Sequence, residues 1–348
     1  MSAYQDNLDN CAKATPVLAE LKGKTVLMSG ATGMIGKYLI DLIMRQNQIN
    51  NLGCKIVALG RNKEKAAARF KDCFDDEHFI FIECDINGGE IVIPDMTIDY
   101  VIHAASNTHP LAYSTYPVST IEANISGTNK MAKIAADHKA RFIFLSSVEV
   151  YGENRGDTEF FDEKYLGYID CNTLRAGYPE SKRCGEALCQ AYRQQYDLDV
   201  VIPRLARIFG PTMLLDDSKA SSQFIKNSLN GENIVLKSEG TQFFSYLYVA
   251  DVVSGLIYCM VKGENGEAYN IASNSQNITL RALAKDLADI AGTEVVFDIP
   301  DESERKGYST ATKALLDTKK LRKLGWESTT PIKQRLEETL AILKEFGN

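Results

Sequence analysis

The sequence lacks the features of a membrane, secreted or nucleic-acid-binding protein. No apolar run approaches the ~20 residues of a membrane-spanning helix, and residues 1–21 are polar and acidic where a signal peptide is apolar. The formal net charge is −7, and Lys and Arg are not clustered as a phosphate-binding surface requires. We therefore expect a cytoplasmic protein that binds neither membranes nor nucleic acids.

Disulfide and metal signatures are also missing. The eight cysteines contain no C-x-x-C pair, and the four histidines show no metal-ligand spacing. In a reducing compartment, such cysteines are small buried side chains or free thiols, so we expect no metal. The chain of 348 residues is 45% hydrophobic, which suits one large α/β unit or two domains that share a cleft.

Three glycines at a spacing of three, Gly30, Gly33 and Gly36, follow one short apolar run and precede a helical pattern. The arrangement predicts a strand, a tight turn and a helix whose N-terminus binds a phosphate. Gly30 permits the turn, Gly33 lets a pyrophosphate approach the backbone, and Gly36 lets the helix pack on the strand. Thr32, Met34 and Ile35 share this expected cofactor contact. The spacing is not the G-x-G-x-x-G of classical dehydrogenases, and a glycine-rich turn can also bind nothing, so other motifs must decide.

Strands and helices alternate after this turn, which predicts a doubly wound parallel sheet with helices on both faces. Ligands bind at the carboxyl ends of such strands. Asp85 and Ile86 follow the predicted third strand and are placed to meet an adenine. Ala104 and Ala105 end the fourth strand and let a cofactor lie close. A long helix is predicted from Tyr113 to His138.

The residues after the second strand bear on the choice of dinucleotide. An acid there binds the ribose hydroxyls of NAD, whereas an arginine accommodates the 2′-phosphate of NADP. The sequence has Arg61 and Lys63 and no acid at the tip. This favours NADP slightly over NAD, although both side chains are also what a solvated helix start would carry.

Tyr178 and Lys182 are four residues apart on a predicted helix, so both project from one face. A lysine close to a phenol favours the phenolate, and we expect it to lower the pKa of Tyr178 towards neutrality. Such a tyrosine can take a proton from a sugar hydroxyl while hydride leaves the same carbon for nicotinamide. Ser147, at the end of a predicted strand from Arg141, is expected to hydrogen-bond the same oxygen.

Together these motifs resemble the extended short-chain dehydrogenase/reductases, and specifically the nucleotide-sugar epimerases, dehydratases and decarboxylases. UDP-glucuronate decarboxylases and dTDP-glucose dehydratases look most similar. The segments that carry the resemblance are Gly30-x-x-Gly33-x-x-Gly36, Ser147-Val-Glu149-Val-Tyr151-Gly152, Tyr178-x-x-x-Lys182, Arg204 to Pro211, Gly240 to Asp251 and Leu316 to Trp326.

The resemblance implies a Rossmann domain over mainly residues 24–210 and a smaller α/β domain over mainly 211–348 that holds a nucleoside diphosphate sugar. The chain is expected to cross between the two. Residues 1–23 are expected to form a polar extension with one short helix from Thr15 to Leu21. The resemblance also implies a homodimer that assembles through a four-helix bundle.

The sequence departs from the family pattern near the expected sugar site. Val148 stands where the resembled dehydratases have Asp, and Phe244, two residues after Gln242, stands where the decarboxylases have Arg. Arg207 occupies the position of a family Asn, where it can supply the diphosphate contact that Phe244 cannot. Glu149 remains as a candidate base, or alternatively as a structural hydrogen-bond partner. We expect Gln242 and Phe244 to line the substrate site together with Arg207.

Three interpretations follow from these parts. With Val148 and Phe244 apolar, the sequence favours a 4-epimerase, which needs little beyond the catalytic residues Ser147, Tyr178 and Lys182. Decarboxylation, dehydration or NADPH-dependent reduction of a 4-keto sugar are alternatives of the same class. A non-catalytic protein that senses a dinucleotide is a different class, against which the intact Ser, Tyr and Lys speak.

Overall fold

A computed structural model describes residues 2–106, 108, 115–214, 217–299 and 311–347. The strands in chain order are β1 Thr25–Ser29, β2 Lys55–Gly60, β3 Phe79–Glu83, β4 Tyr100–His103, β5 Arg141–Phe144, β6 Ser146–Ser147, β7 Val200–Leu205, β8 Arg207–Phe209, β9 Ile234–Leu236, β10 Phe243–Tyr248, β11 Glu267–Ile271, β12 Asn277–Thr279, β13 Val295–Phe297 and β14 Lys313–Ala314. The α-helices are α1 Ala3–Lys13, α2 Met34–Asn50, α3 Lys63–Arg69, α4 Pro117–His138, α5 Gly177–Tyr196, α6 Ala220–Leu229, α7 Val249–Lys262, α8 Leu280–Ala291, α9 Lys319–Arg322 and α10 Ile332–Glu345.

The main sheet is parallel and has the strand order β11-β7-β5-β4-β1-β2-β3, with the short β6 beside β7. The order 3-2-1-4-5 is that of a doubly wound dinucleotide-binding fold, extended here by β7 and β11. Successive strands are added on one side of β1 as far as β3 and then, from β4, on its other side, which opens a crevice between β1 and β4 at the carboxyl edge. The sheet confirms the predicted Rossmann fold.

Helices cover both faces of this sheet because its central strands are apolar on both sides. In β1, Val26 and Met28 pack into one buried cluster and Leu27 into another. Side chains that alternate along a strand point to opposite faces, so each face needs its own helical cover. On the face of Leu27 that cover includes Met131 of α4 and Cys189 of α5.

Several predicted ends of strands and helices differ from those in the structure. The strand predicted from Arg141 to Ser147 ends at Phe144, and Ser146–Ser147 forms a separate strand paired with β7. The predicted helix from Tyr113 begins at Pro117, where proline has no amide hydrogen to leave unsatisfied. Tyr113 itself lies outside the described residues.

The prediction for the N-terminal extension is partly wrong. An α-helix runs from Ala3 to Lys13, with a capping box between Ser2 and Gln5, and the segment predicted as a short helix is a 3₁₀ turn over Pro16–Leu21. Leu8, Cys11, Leu18 and Leu21 are buried in the main core. The extension is therefore part of the folded body.

A second group of elements lies beyond β7. A small sheet has the order β12-β10-β14, and β8 pairs with β10 in parallel so that Arg207 lies beside Tyr246. The strands β9 and β13 form a separate pair. The chain then returns to the main sheet through β11, which pairs with β7. This crossing brings β8 and β10 to the carboxyl edge of the main sheet.

Among the described residues, no helix is both long and apolar enough to cross a membrane.

Candidate active site

The glycine-rich turn connects β1 to α2. Gly30 has φ +74°, and a Cβ on it would lie 2.5 Å from the carbonyl carbon of Ala104. A Cβ on Gly36 would lie 2.4 Å from the Ala31 oxygen, so this glycine is needed for the close approach of helix and turn. Gly33 is the N-cap residue of α2 and has no side chain to cap the helix, which leaves the first amide groups of the helix available to an anion. The structure therefore brings the turn against the end of β4, and this cradle fits a pyrophosphate.

Other residues predicted to contact the cofactor follow the carboxyl ends of β2, β3 and β4. Ala105 donates its amide to Ser29 Oγ at 3.4 Å. Ile86 lies beside Gly127 of α4, where an added Cβ would be 3.1 Å from its Cγ1. Asp85 is exposed and accepts the Asn87 amide at 3.0 Å, and Arg61 is exposed at the end of β2.

His103 is a residue of this region to which the sequence analysis gave no role. It ends β4, is fully buried, and its Nδ1 lies 2.8 Å from Ser29 Oγ at the end of β1. Burial, reinforced by the charge of Lys182, lowers the pKa of His103 to about 3, so the ring is neutral. His103 thus connects the end of β1, the strand before the glycine-rich turn, with the region around Lys182. Its position at the end of a predicted central strand was the available signal.

Ser147, Tyr178 and Lys182 meet at the carboxyl edge of β5 and β6. The Ser147 hydroxyl is hydrogen-bonded to the hydroxyl of Tyr178, which lies in the first turn of α5. Lys182, one turn further, is buried, donates to the Leu145 carbonyl at 2.8 Å, and lies 4.8 Å from the Phe144 ring centroid. Burial lowers the pKa of Lys182 to about 8, against the opposing influence of Glu186.

The expected lowering of the pKa of Tyr178 is wrong for this arrangement. Burial raises that pKa, and the Glu149 charge raises it further, while the Ser147 hydrogen bond lowers it only in part. The Lys182 ammonium group points to the Leu145 carbonyl instead. The geometry predicted for the three residues is present, but desolvation outweighs the favourable contacts.

Glu149 lies beside the Ser147 hydroxyl and between two arginines. Its amide donates to Ser147 Oγ at 3.3 Å. Its carboxylate lies 3.5 Å from Arg207 Nη2 and 3.9 Å from Arg175 Nη2. Sequence reasoning missed Arg175, although its position three residues before Tyr178 was a signal that could have found it.

Arg207 lies over the ring of Phe244, with its Cζ 3.6 Å from the ring centroid. Phe244 is buried, and Arg207 Nη1 is buried without a hydrogen-bond partner within the described parts of the chain. Gln242, the third predicted substrate residue, contacts Ser238 through its side chain, at 3.3 Å between Nε2 and Oγ. Arg207 therefore contacts both Phe244 and Glu149, whereas Gln242 contacts a neighbouring loop.

A partly buried ion pair joins the helix that carries Tyr178 to the sheet. Glu186 of α5 accepts from Ser146 Oγ at 2.6 Å and from Arg204 Nη2 at 2.6 Å. Arg204 also donates to the Tyr151 hydroxyl at 3.1 Å. These contacts join α5 to β6 and β7, and they hold Tyr178 at a set distance from Ser147.

A metal site would need several His, Cys, Asp or Glu side chains close together. In the ranges that the structure describes, no three His, Cys, Asp or Glu side chains are grouped so that they could bind a metal ion.

Comparison with known proteins gives the family. The model of the NAD dependent epimerase/dehydratase family matches residues 26–272. UDP-glucuronic acid decarboxylase 3 of Arabidopsis thaliana is 30% identical over 325 residues, which cover 92% of this chain and 88% of that protein. UDP-glucuronic acid decarboxylase 1 of Xenopus tropicalis is 29% identical over 334 residues, which cover 94% of this chain and 74% of that protein.

Solved structures agree in fold. UDP-glucose 4-epimerase of Thermotoga maritima, solved with UDP-glucose, superposes with a TM-score of 0.77 at 22% identity, and 93% of this chain and 100% of that chain are covered. dTDP-glucose 4,6-dehydratase of Bacillus anthracis, solved in complex with NAD, superposes with a TM-score of 0.76 at 20% identity. The superposition covers 92% of this chain and 97% of that chain. The chain belongs to the NAD dependent epimerase/dehydratase family.

Proposed function

We propose that this protein is a nucleotide-sugar 4-epimerase that acts through a transient 4-keto sugar. The observation that carries the proposal is the meeting of Ser147, Tyr178 and Lys182 beside the glycine-rich cradle, with apolar Val148 as their neighbour. Oxidation at C4 and reduction of the same carbon need these three residues and a dinucleotide. Valine cannot transfer the additional proton that elimination of water requires.

The cradle fits a nicotinamide dinucleotide. When bound there, it supplies a hydride acceptor that later returns the hydride. The residues proposed to hold it are Gly30, Thr32, Gly33, Met34, Ile35, Gly36, Arg61, Asp85, Ile86, Ala104, Ala105, Tyr178 and Lys182. Exposed Arg61 and the lack of an acid after β2 favour NADP slightly over NAD.

Tyr178 is the proposed proton carrier. In the oxidative half, its phenolate oxygen takes the proton of the 4-hydroxyl group, and in the reductive half it returns that proton to the 4-keto oxygen. Because burial opposes the phenolate, the Ser147 hydrogen bond and the buried positive charge of Lys182 must stabilise it during this exchange. Ser147 can also donate to the reacting oxygen.

Arg207 is proposed to bind the diphosphate. Its buried Nη1 has an unused donor within the described chain, and its guanidinium group lies over the Phe244 ring. A guanidinium held flat on an aromatic ring keeps its edge donors available for phosphate oxygens. Phe244 and Gln242 are proposed as neighbours of the substrate.

A second candidate is a nucleotide-sugar decarboxylase. The observation in its favour is the 30% identity to UDP-glucuronic acid decarboxylase 3. Glu149 beside Ser147 is compatible with either reaction. We place this second because Phe244 stands where the resembled decarboxylases carry Arg, so a carboxylate would lack that partner.

A homodimer is proposed through α4 and α5. Val118 and Ile121 of α4 are apolar and exposed, and α4 packs along α5. Two such helix pairs together would bury these side chains in a four-helix bundle.

The test is incubation with UDP-, CDP-, dTDP- and GDP-sugars, with and without NADPH, followed by mass and NMR analysis of the products. An epimer of unchanged mass and no net change in cofactor supports the proposal. Loss of carbon dioxide favours the second candidate, and consumption of NADPH favours a 4-keto-sugar reductase. No turnover of any sugar favours the dinucleotide sensor.

A further inference from the structure

The amide groups that would bind the pyrophosphate follow a turn of three glycines. Gly30, Gly33 and Gly36 have no side chains through which neighbouring elements could hold them, and glycine is the most flexible residue along a backbone. The Lys37 amide donates to the Gly33 carbonyl at 2.9 Å and closes the first turn of α2. The free amides that precede Lys37 are therefore positioned by the contacts that hold α2.

Hydrogen bonds join this first turn to the N-terminal helix α1. The Lys37 ammonium group donates to Asp41 Oδ1 at 2.6 Å, and the Tyr4 hydroxyl of α1 donates to Asp41 Oδ2 at 2.6 Å. Burial raises the pKa of Asp41, and the contacts with Lys37 and Tyr4 oppose that rise. Tyr4 thus satisfies the carboxylate oxygen that Lys37 leaves open.

A second contact between α1 and α2 involves the neighbouring residue Tyr38. This side chain is fully buried, and its hydroxyl donates to Asn7 Oδ1 at 2.6 Å. Asn7 is also buried, and its Nδ2 donates to Glu338 of α10 at 3.3 Å. The Asn7 amide group therefore uses its acceptor on the dinucleotide helix and its donor on the C-terminal helix.

Helices from late in the chain anchor α1. The Tyr4 ring lies edge-on to Phe346, which directly follows α10, with 5.1 Å between the ring centroids. Thr15, two residues after the end of α1, has its Oγ1 2.8 Å from Ser254 Oγ of α7. Because α7 and α10 hold α1 independently of α2, α1 can fix the position of α2.

We infer that α1 is a positioning element for the dinucleotide and that Tyr4 and Asn7 are its positioning residues. Both act through α2, whose first two turns they hold in place together with the free amides of the cradle. When α2 is less firmly held, dinucleotide binding must also order this helix, which weakens the affinity. The inference rests on the proposed dinucleotide site, since it concerns the same cradle.

The test uses the full chain, freed of any dinucleotide carried through purification. The variants are Tyr4→Phe and Tyr38→Phe, each of which removes one hydroxyl group and keeps the packed ring. Ser228→Ala is the matched control, because the buried Ser228 hydroxyl joins α6 to the Leu287 carbonyl of α8 at 3.3 Å, within the second group of elements.

Three quantities are measured for each protein. Calorimetry gives the dissociation constants of NAD, NADP and UDP, and urea unfolding gives the stability. Hydrogen–deuterium exchange without ligand reports how firmly the α2 amides are held. Comparison of the dinucleotides with UDP separates positioning of the cradle from general stabilisation of the fold.

Tyr4→Phe and Tyr38→Phe should each weaken binding of the preferred dinucleotide by about three- to tenfold, and should change UDP binding by less than about twofold. The α2 amides should exchange faster in both variants. Ser228→Ala should lower the stability but change neither affinity.

Unchanged dinucleotide affinity in both variants would overturn the inference, as would an equal loss for UDP or an equal loss in Ser228→Ala. If the unsubstituted protein bound neither NAD nor NADP, the inference and the proposed function would both be overturned. Formation of a product other than the C4 epimer, with the expected losses of dinucleotide affinity, would overturn the proposed function alone.

Discussion

The Arg207 guanidinium lies over the Phe244 ring, with 3.6 Å between Cζ and the ring centroid. The parallel pairing of β8 with β10 creates this contact, because it sets Arg207 beside Tyr246 and hence close to Phe244. The resemblance implies an arginine at the position of Phe244, as in the decarboxylases, and an asparagine at that of Arg207. In this chain the arginine lies on the neighbouring strand, beside Phe244.

The contact between Arg207 and Phe244 predicts that substitutions at these two positions have coupled effects on the free energy of UDP binding. Arg207→Asn should weaken binding of UDP by about 10- to 100-fold, because it removes charge-assisted hydrogen bonds. Phe244→Arg alone should not improve binding, since it sets two guanidinium groups together. The double variant Arg207→Asn/Phe244→Arg should recover most of the lost affinity in calorimetry. Strictly additive effects would contradict the proposed role of Arg207.

Tyr178→Phe should lower turnover by about 10²- to 10⁴-fold, since it removes the proposed proton carrier. The measurement is the initial rate under saturating nucleotide sugar, together with the unfolding temperature. Tyr192→Phe is the matched control, because that tyrosine is on the same helix and its hydroxyl contacts Asn129 at 2.8 Å. Comparable activity of the two variants would remove Tyr178 from the mechanism.

Gly33 and Gly36 should respond differently to alanine. A Cβ on Gly36 meets the Ala31 oxygen at 2.4 Å, so Gly36→Ala should destabilise the fold by about 1–3 kcal/mol. A Cβ on Gly33 meets only the Gly30 oxygen at 3.2 Å, so the stability should change by less than about 1 kcal/mol. Gly33→Ala should instead weaken dinucleotide binding at least about tenfold. Denaturant unfolding and dinucleotide titration separate the two effects, and an unchanged affinity in Gly33→Ala would count against the cradle.

His103 should make the protein sensitive to acid. Its pKa is lowered from an ordinary value of about 6.5 in the unfolded chain to about 3 in the fold. The unfolded chain therefore binds more protons between these values. The stability is fully present above the ordinary pKa and is lost as the pH falls towards the folded one, at up to about 1.4 kcal/mol per pH unit.

The measurement is the free energy of unfolding between about pH 4 and 6, where the difference in bound protons is largest. His103→Gln, which keeps a hydrogen-bonding group near Ser29, should reduce the slope by about 1.4 kcal/mol per pH unit. An unchanged slope would show that His103 is not the titrating group.

Local sequence signals were sufficient for the sheet and for much of the site. The apolar runs and the spacing of Gly30, Gly33 and Gly36 predicted the β1–α2 turn, because each depends on neighbours within a few residues. The rule that parallel strands present their carboxyl ends at one edge placed Ser147 at the same edge as the glycine-rich turn.

Features that depend on tertiary packing could not be predicted in the same way. The pKa of Tyr178 is set by burial, which the spacing to Lys182 does not reveal. The approach of Arg175 to Glu149 depends on two 3₁₀ turns that are distant in sequence. The helix Ala3–Lys13 is mostly polar, and the burial of Leu8 and Cys11 arises from contacts with helices far along the chain.

The central claim is that hydride leaves C4 and returns to the same carbon on the opposite face. The most direct test is incubation with a nucleotide sugar that carries deuterium at C4, followed by mass and proton NMR analysis of the product. The account predicts an inverted configuration at C4, an unchanged mass and deuterium retained at that carbon. Loss of deuterium to solvent or loss of water or carbon dioxide from the sugar would contradict it.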